Sequence, residues 1–139
     1  MRRQLERSRA AGAADTIGEL IESAAAVNGA RVIARELEVA DATELRALGD
    51  RLRERLGSGA AVLAGRSPDR VALVAVVTDD MISRGVRADV LVREVAGRTG
   101  GTGGGRPHMA QGGVGDASRL EDALGATIGI VTGMLGGAA

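Results

Sequence analysis

The chain has 139 residues, 18 basic and 18 acidic, and a formal net charge of zero. It has no Cys and no Phe, Tyr or Trp, and every basic residue is Arg. Disulfides and thiolate metal sites are therefore excluded, base stacking on aromatic rings is excluded, and a uniformly basic nucleic-acid binder is excluded. The core must be built from Val, Leu, Ile, Ala and Met, while each cation is a planar donor suited to phosphate.

Length and composition fit one domain with an appended helix. Met1 to Ala26 reads as a helix, with Ile17, Leu20, Ile21 and Ala24 forming an apolar stripe. Asn28-Gly29 is a turn signal. The expected division is an N-terminal helix over 1–27, the end of a helical arm, and a globular domain over 28–139. Arg2 and Arg3 are not followed by an apolar segment, so no secretory signal is expected. The spacing predicts a strand from Arg31 to Val39 and a helix from Asp41 to Leu56, with Leu45, Leu48, Leu52 and Leu56 on one face. Asp41 followed by Glu44 has the spacing of a capping box, and Gly57 ends the helix. Arg46, Asp50, Arg53 and Glu54 read as its solvated face.

Ala60 to Gly65 and Val71 to Val77 read as two strands, joined by a Ser67-Pro68-Asp69 turn into an antiparallel hairpin. The run VALVAVV is apolar at both parities, which predicts a central strand covered on both faces. Asp79 and Asp80 read as a helix N-cap rather than a metal site. Arg87 to Ala96 is predicted helical, with Val90, Leu91 and Val95 inward. Pro107 to Gln111 reads as a short edge strand. Asp116 to Leu135 begins as a helix with Leu120, Leu124, Ile128, Val131 and Leu135 roughly in register. Gly125, Gly129 and Gly133 each cost about 1 kcal/mol in a helix interior, so the helix can equally stop near Gly125 and give way to a strand. The segment from Ala123 is too short and too rich in Gly for a membrane span.

The most informative stretch is Gly100-Gly101-Thr102-Gly103-Gly104-Gly105-Arg106-Pro107-His108-Met109-Ala110-Gln111-Gly112-Gly113, which holds seven glycines and the only His. It is not a Walker loop, because Arg106-Pro107 stands where Gly-Lys-Ser/Thr is needed. It is not a dinucleotide fingerprint, because it follows a predicted helix rather than a strand. The ordered tail from Arg106 weighs against a flexible linker. A lone His and no Cys provide no zinc cluster and no nucleophile–base pair, so catalysis by this chain alone is not expected.

GGTGGGRPHMAQGG closely resembles the glycine-rich signature GGGGGGRPDMAQAGG of the DHHA1-type C-terminal (C-Ala) domain of alanyl-tRNA synthetase. VNGARVIARELEVADATELRALGDRLRERLGSGAAVLAG and VALVAVVTDDMISRGVRADVLVREVAGRTGG extend the likeness upstream in order and spacing, over roughly Ala25 to Leu124. His108 stands where that family has Asp. The resemblance implies an α/β (α+β) fold, a mixed β-sheet with packed helices and an N-terminal helical arm. It implies a non-catalytic, cytoplasmic, tRNA-binding domain that docks the tRNA elbow, aids aminoacylation and editing, and supports a homodimer. The partners would be tRNA and the catalytic and editing domains of the synthetase; no cofactor, metal or membrane is implied. The residues expected to meet RNA are Gly103, Gly104, Gly105, Arg106, His108 and Gln111. Two other readings stay open: an oligomerisation module with little RNA affinity, and the accessory substrate-binding domain of a DHH-type phosphoesterase.

Overall fold

The computed structural model describes residues 12–27, 29–67 and 70–135. Helix α1 (Gly12–Glu22) leads into strand β1 (Ala25–Val27), which turns back at Gly29 into β2 (Ala30–Glu38). Helix α2 (Ala42–Leu56) then crosses to β3 (Gly59–Arg66), followed by β4 (Val71–Val77) and the short helix α3 (Asp79–Ser83). Helix α4 (Ala88–Arg98) precedes β5 (Gly103–Gly105) and β6 (Met109–Gly113). A 3-10 turn (Ala117–Arg119) opens the closing pair α5 (Leu120–Gly125) and α6 (Thr127–Met134).

The six strands form one sheet in the order β1-β2-β3-β4-β6-β5. Only β2 and β3 run parallel, because α2 carries the chain back to the starting end of the sheet between them; every other neighbouring pair is antiparallel. This is the mixed sheet that the sequence implies. Strands β3 and β4 sit at its centre and send apolar side chains to both sides. Val62, Leu73, Ala75 and Val77 join one core with Leu91, Val92, Val95, Leu120 and Val131 from the helices on that face. Ala61, Leu63, Val74 and Val76 join a second core with Ile17, Leu20, Leu45, Leu48, Leu52 and Leu56 of α1 and α2. The double coverage accounts for the unbroken apolar run of β4.

Helix α2 forms where its leucines predict it. The Asp41 carboxylate accepts the Glu44 amide at 2.9 Å. Glu44 reaches back one residue further than a capping box requires, accepting from the Ala40 amide at 2.6 Å. Arg53, read as solvated, is instead a tie. Its guanidinium donates to the Val77 carbonyl at 2.8 Å and to Asp79 at 2.6 Å, with only a quarter of the side chain exposed.

Several expectations are corrected. The first helix ends at Glu22, and Ala25 and Ala26 belong to β1, because β2 offers them backbone partners. Met1 to Ala11 of the predicted helix, and Pro68 and Asp69 of the predicted turn, lie outside the described residues. Thr78, not Asp79 or Asp80, is the N-cap of α3. The open question at the C-terminal end resolves as helix, with a break at Ala126. The buried stripe there is Leu120, Ala123, Thr127 and Val131, whereas Ile128 is 42% exposed. The cause is geometric: steps of four advance about 400°, so the predicted stripe drifts off the core face by about 40° per step. Among the described residues, no helix is long and apolar enough to cross a membrane.

Candidate nucleic-acid interface

The glycine-rich stretch is a β-hairpin rather than a loop. Gly103, Gly104 and Gly105 pair antiparallel with Gly112, Gln111 and Ala110. The predicted strand at Pro107–Gln111 therefore starts later, at Met109, and β6 lies inside the sheet between β4 and β5. Pro107 remains outside it because a proline has no amide to give to a ladder. The turn is Arg106-Pro107-His108, closed by the Arg106 amide donating to the Met109 carbonyl at 2.9 Å. The Pro107 carbonyl accepts from the Ala88 amide at 2.8 Å, and the His108 carbonyl from the Val77 amide at 3.0 Å. The turn is thus held from α4 and from β4.

The open end of the hairpin is held by Thr99, which is buried. Its hydroxyl donates to the Ala96 carbonyl at 2.7 Å and accepts from the Gly115 amide at 3.1 Å. Its carbonyl accepts from the Asp116 amide at 2.7 Å. Asp116 in turn accepts from the hydroxyl and amide of Ser118, which keep its carboxyl below the usual range. Asp80 is lowered likewise by the hydroxyls of Ser58 and Thr78. Asp89 is lowered by the Arg87 guanidinium beside it.

The register decides which side chains share a face. Val74 pairs with Gln111, Val76 with Met109, and Ala72 with Gly113. Val74, Val76 and Met109 face α1 and α2, so Gln111 and Gly113 face the same way, and so does Gly104 opposite Gln111. Beside α2, that face of β6 and β5 carries Gly104, Gln111 and Gly113, hence one side chain. The result is a groove of about 330 Å³ lined by Arg46, Gly104, Gly105, Arg106, His108, Met109, Ala110 and Gln111. Of the residues expected to meet RNA, Gly104, Gly105, Arg106, His108 and Gln111 line this groove. Gly103 lines an adjoining hollow of about 400 Å³, with Ala42, Leu45, Arg70, Ala72, Thr102 and Gly112 among its other walls, and Gln111 is common to both. Among the described residues, no carboxylate lines either one. Arg46 and Arg70 were not in the expected set. They come from α2 and from the residue before β4, and only the folded topology brings them to this face. Among the described residues, no group of three or more His, Asp or Glu is placed to hold a metal ion.

The DHHA1 domain family model matches residues 29–132, from the turn before β2 to α6. The chain belongs to the DHHA1 domain family. The alanine–tRNA ligase of Geobacillus kaustophilus is 46% identical over 99 residues, covering 71% of this chain and 11% of that protein. That of Saccharophagus degradans is 40% identical over 138 residues, covering 96% of this chain and 16% of that protein. The chain thus corresponds to a small part of these ligases. The crystal structure of the C-Ala domain from Aquifex aeolicus alanyl-tRNA synthetase superposes with a TM-score of 0.70 at 30% identity, covering 79% of this chain and 98% of that one. Together these matches make this DHHA1 domain one of the C-Ala type. A DHH-domain structure from a member of a ribosomal-protein family shares the fold alone, with a TM-score of 0.55 at 14% identity, covering 95% of this chain and 33% of that one.

Proposed function

We propose that this DHHA1 domain binds tRNA for an alanyl-tRNA synthetase, docking on the tRNA elbow through the β5–β6 hairpin and leaving catalysis to the ligase's other domains. The observation that supports this best is the groove at the Arg106-Pro107-His108 turn: cations around it, no carboxylate among the described residues of its walls, and a floor nearly free of side chains. Guanidinium groups pair with phosphate bidentately, and bare backbone lets a base or sugar approach closely. Zero net charge limits long-range attraction, so binding is modest and weakens with salt. The cytoplasmic location of protein synthesis goes with this reading, and neither a cofactor nor a metal is assigned.

Fluorescence anisotropy with labelled tRNA tests it. The Arg106→Ala variant should lose about 1–3 kcal/mol toward full tRNA, the range for one good bidentate contact. It should leave binding of an acceptor-stem minihelix, which lacks the elbow, nearly unchanged. Equal binding of full tRNA by folded parent and variant would refute the assignment.

A second reading, self-association, is favoured by the exposed Ile128, which lies beside the exposed Gly125 and Gly129 on the closing helices. Light scattering at high protein concentration tests it; a strictly monomeric mass would remove it.

A further inference from the structure

Strand β1 covers only part of its neighbour. It pairs Val27, Ala26 and Ala25 with Ala30, Arg31 and Val32. Before Ala25 the chain is still turning out of α1: the Ser23 amide donates to the Glu19 carbonyl at 3.0 Å, and the Ala24 amide to the Ile21 carbonyl at 3.2 Å. The outer side of β2 beyond Val32 therefore has no strand beside it. The ladder to β3 fixes which groups are left open. The Arg31 amide donates to the Ser58 carbonyl and the Val39 amide to the Arg66 carbonyl, each at 3.0 Å, so the odd-numbered residues of β2 direct their backbone groups to β3. Those of Ala34, Glu36 and Glu38 point outward, and among the described residues nothing bonds to them.

A groove of about 480 Å³ runs along this free edge. Val32, Ala34 and Glu36 form its strand side, and Glu121, Leu124 and Ile128 of the closing helices form its wall. Side chains alternate along a strand, so Glu36 and Glu38 share the face of Val32, which packs toward α4, α5 and α6. Glu36 accepts from Arg66 at 2.5 Å. Glu38 and Glu121 are exposed, and among the described residues they have no ion-pair partner. The edge thus offers alternating backbone donors and acceptors, an apolar wall and uncompensated negative charge.

We propose that residues 34–38 are a strand-addition site for an extended, basic segment of the ligase polypeptide outside these 139 residues. Main-chain bonds to Ala34, Glu36 and Glu38 supply affinity, and alternate side chains of the added strand supply selectivity. Those side chains are apolar against Leu124 and Ile128 and cationic against Glu38 and Glu121. Strand β1 satisfies the adjoining part of the same edge in this way, which marks the occupant as polypeptide. A second copy does not suit the site: laid antiparallel on the same edge, it sets Glu36 against Glu36, and like charges directly opposite destabilise a sheet. A free partner does not suit it either, because so short a strand binds weakly alone, whereas a tether raises the effective concentration to roughly millimolar. The chain spans 11% and 16% of the two ligases compared above, so such a ligase has ample polypeptide to supply the strand. The inference is independent of the tRNA reading, since the site lies at the opposite margin of the sheet from β5.

The test is nuclear magnetic resonance on the isotope-labelled 139-residue chain. In the free chain the amides of Ala34 and Glu36 should exchange with solvent far faster than that of Val32, which β1 holds. Equal protection would show the edge already covered and would overturn the proposal. The probes are overlapping peptides, each long enough for one strand, tiled along the Geobacillus kaustophilus ligase outside its 99 matched residues. A peptide rich in Lys or Arg should shift the Ala34, Glu36 and Glu38 amides, and its binding should fall with salt. Ala34→Pro removes one outward amide and none of those directed to β3, a place where an edge tolerates proline. It should weaken that peptide about tenfold and leave tRNA binding unchanged. If Ala34→Pro melts lower than the parent, Glu38→Lys combined with Glu121→Lys, both on the surface, is read in its place with the same loss expected. The proposal is overturned if no peptide shifts these amides, if acidic peptides shift them equally, or if the variants bind the peptide as the parent does. It is also overturned if the chain dimerises and Ile128→Ser dissolves the dimer while Ala34→Pro does not, because the wall then belongs to a contact between copies. The tRNA reading survives each of these outcomes and falls only on its own anisotropy result.

Discussion

Gly105 and Gly104 are neighbours in one strand, yet alanine at the two positions should move stability in opposite directions. Gly105 has φ +154°, which L side chains rarely adopt, and a Cβ there would stand 2.7 Å from the Ala110 Cα, 2.9 Å from its Cβ and 3.0 Å from the Met109 carbonyl oxygen. Contacts between carbons are favourable at about 3.5–4.0 Å, so this one overlaps by most of an ångström, and two of the three atoms are backbone that cannot rotate away. Strained φ costs about 1–3 kcal/mol, and overpacking adds about 1–3 kcal/mol. Gly105→Ala should therefore cost about 2–6 kcal/mol, a large share of the stability of a small domain. At Gly104 the Cβ meets nothing. Alanine there should gain about 0.5 kcal/mol, because glycine within a strand forfeits backbone entropy. Urea denaturation followed by far-UV circular dichroism gives both values. A loss below about 1 kcal/mol for Gly105→Ala, or a loss rather than a gain for Gly104→Ala, would refute the account of how the hairpin uses its glycines.

Leu52 is fully buried between α2 and the sheet, and Leu52→Ala should cost about 2–5 kcal/mol in the same urea assay. Thr127 is fully buried and, among the described residues, its hydroxyl has no partner; Thr127→Val keeps the shape and removes the unsatisfied group, so it should stabilise by about 1 kcal/mol, and any destabilisation would show that the hydroxyl is satisfied. Asp80 is held below its ordinary pKa by Ser58 and Thr78. A depressed folded pKa gives stability that is present above the unfolded value, about 3.9, and lost as pH falls through the folded value. Asp80→Asn should thus melt below the parent at pH 6, with the gap closing on acidification below about pH 4; a gap independent of pH would contradict it.

The parts of the fold that could be read from the chain are those fixed by local chemistry. Helix α2 is such a part, since its leucine spacing, its Asp41 cap and Gly57 all lie within one window. Strands β3 and β4 are another, being apolar runs separated by a turn signal. Strand β1 was not legible: Ala25–Val27 has no strand pattern of its own and pairs only because β2 returns alongside it. Strand β5 was hidden more deeply. Three consecutive glycines are poor strand formers, and they extend here because β6 supplies the ladder and the Arg106 turn sets the register. The candidate site divided in the same way. The residues named around the Gly run came to one face because they are local in sequence. Arg46 and Arg70 were invisible as site residues because α2 and β4 meet the hairpin only in the folded sheet. Arg53 looked like its solvated neighbours until the end of β4 came within reach of it.

Both margins of the six-stranded sheet are short. Strand β1 has three residues and so does β5, whereas the strands between them have five to nine. A long, flat outer strand is a template on which another chain can add its own strand, and truncated margins are one of the ways natural sheets suppress that growth. The long apolar strands β3 and β4, whose sequences would be the most prone to cross-β stacking if released, are shielded laterally as well as above and below. Assembly through the sheet is therefore disfavoured, and any contact between copies of this domain falls to its helical surfaces.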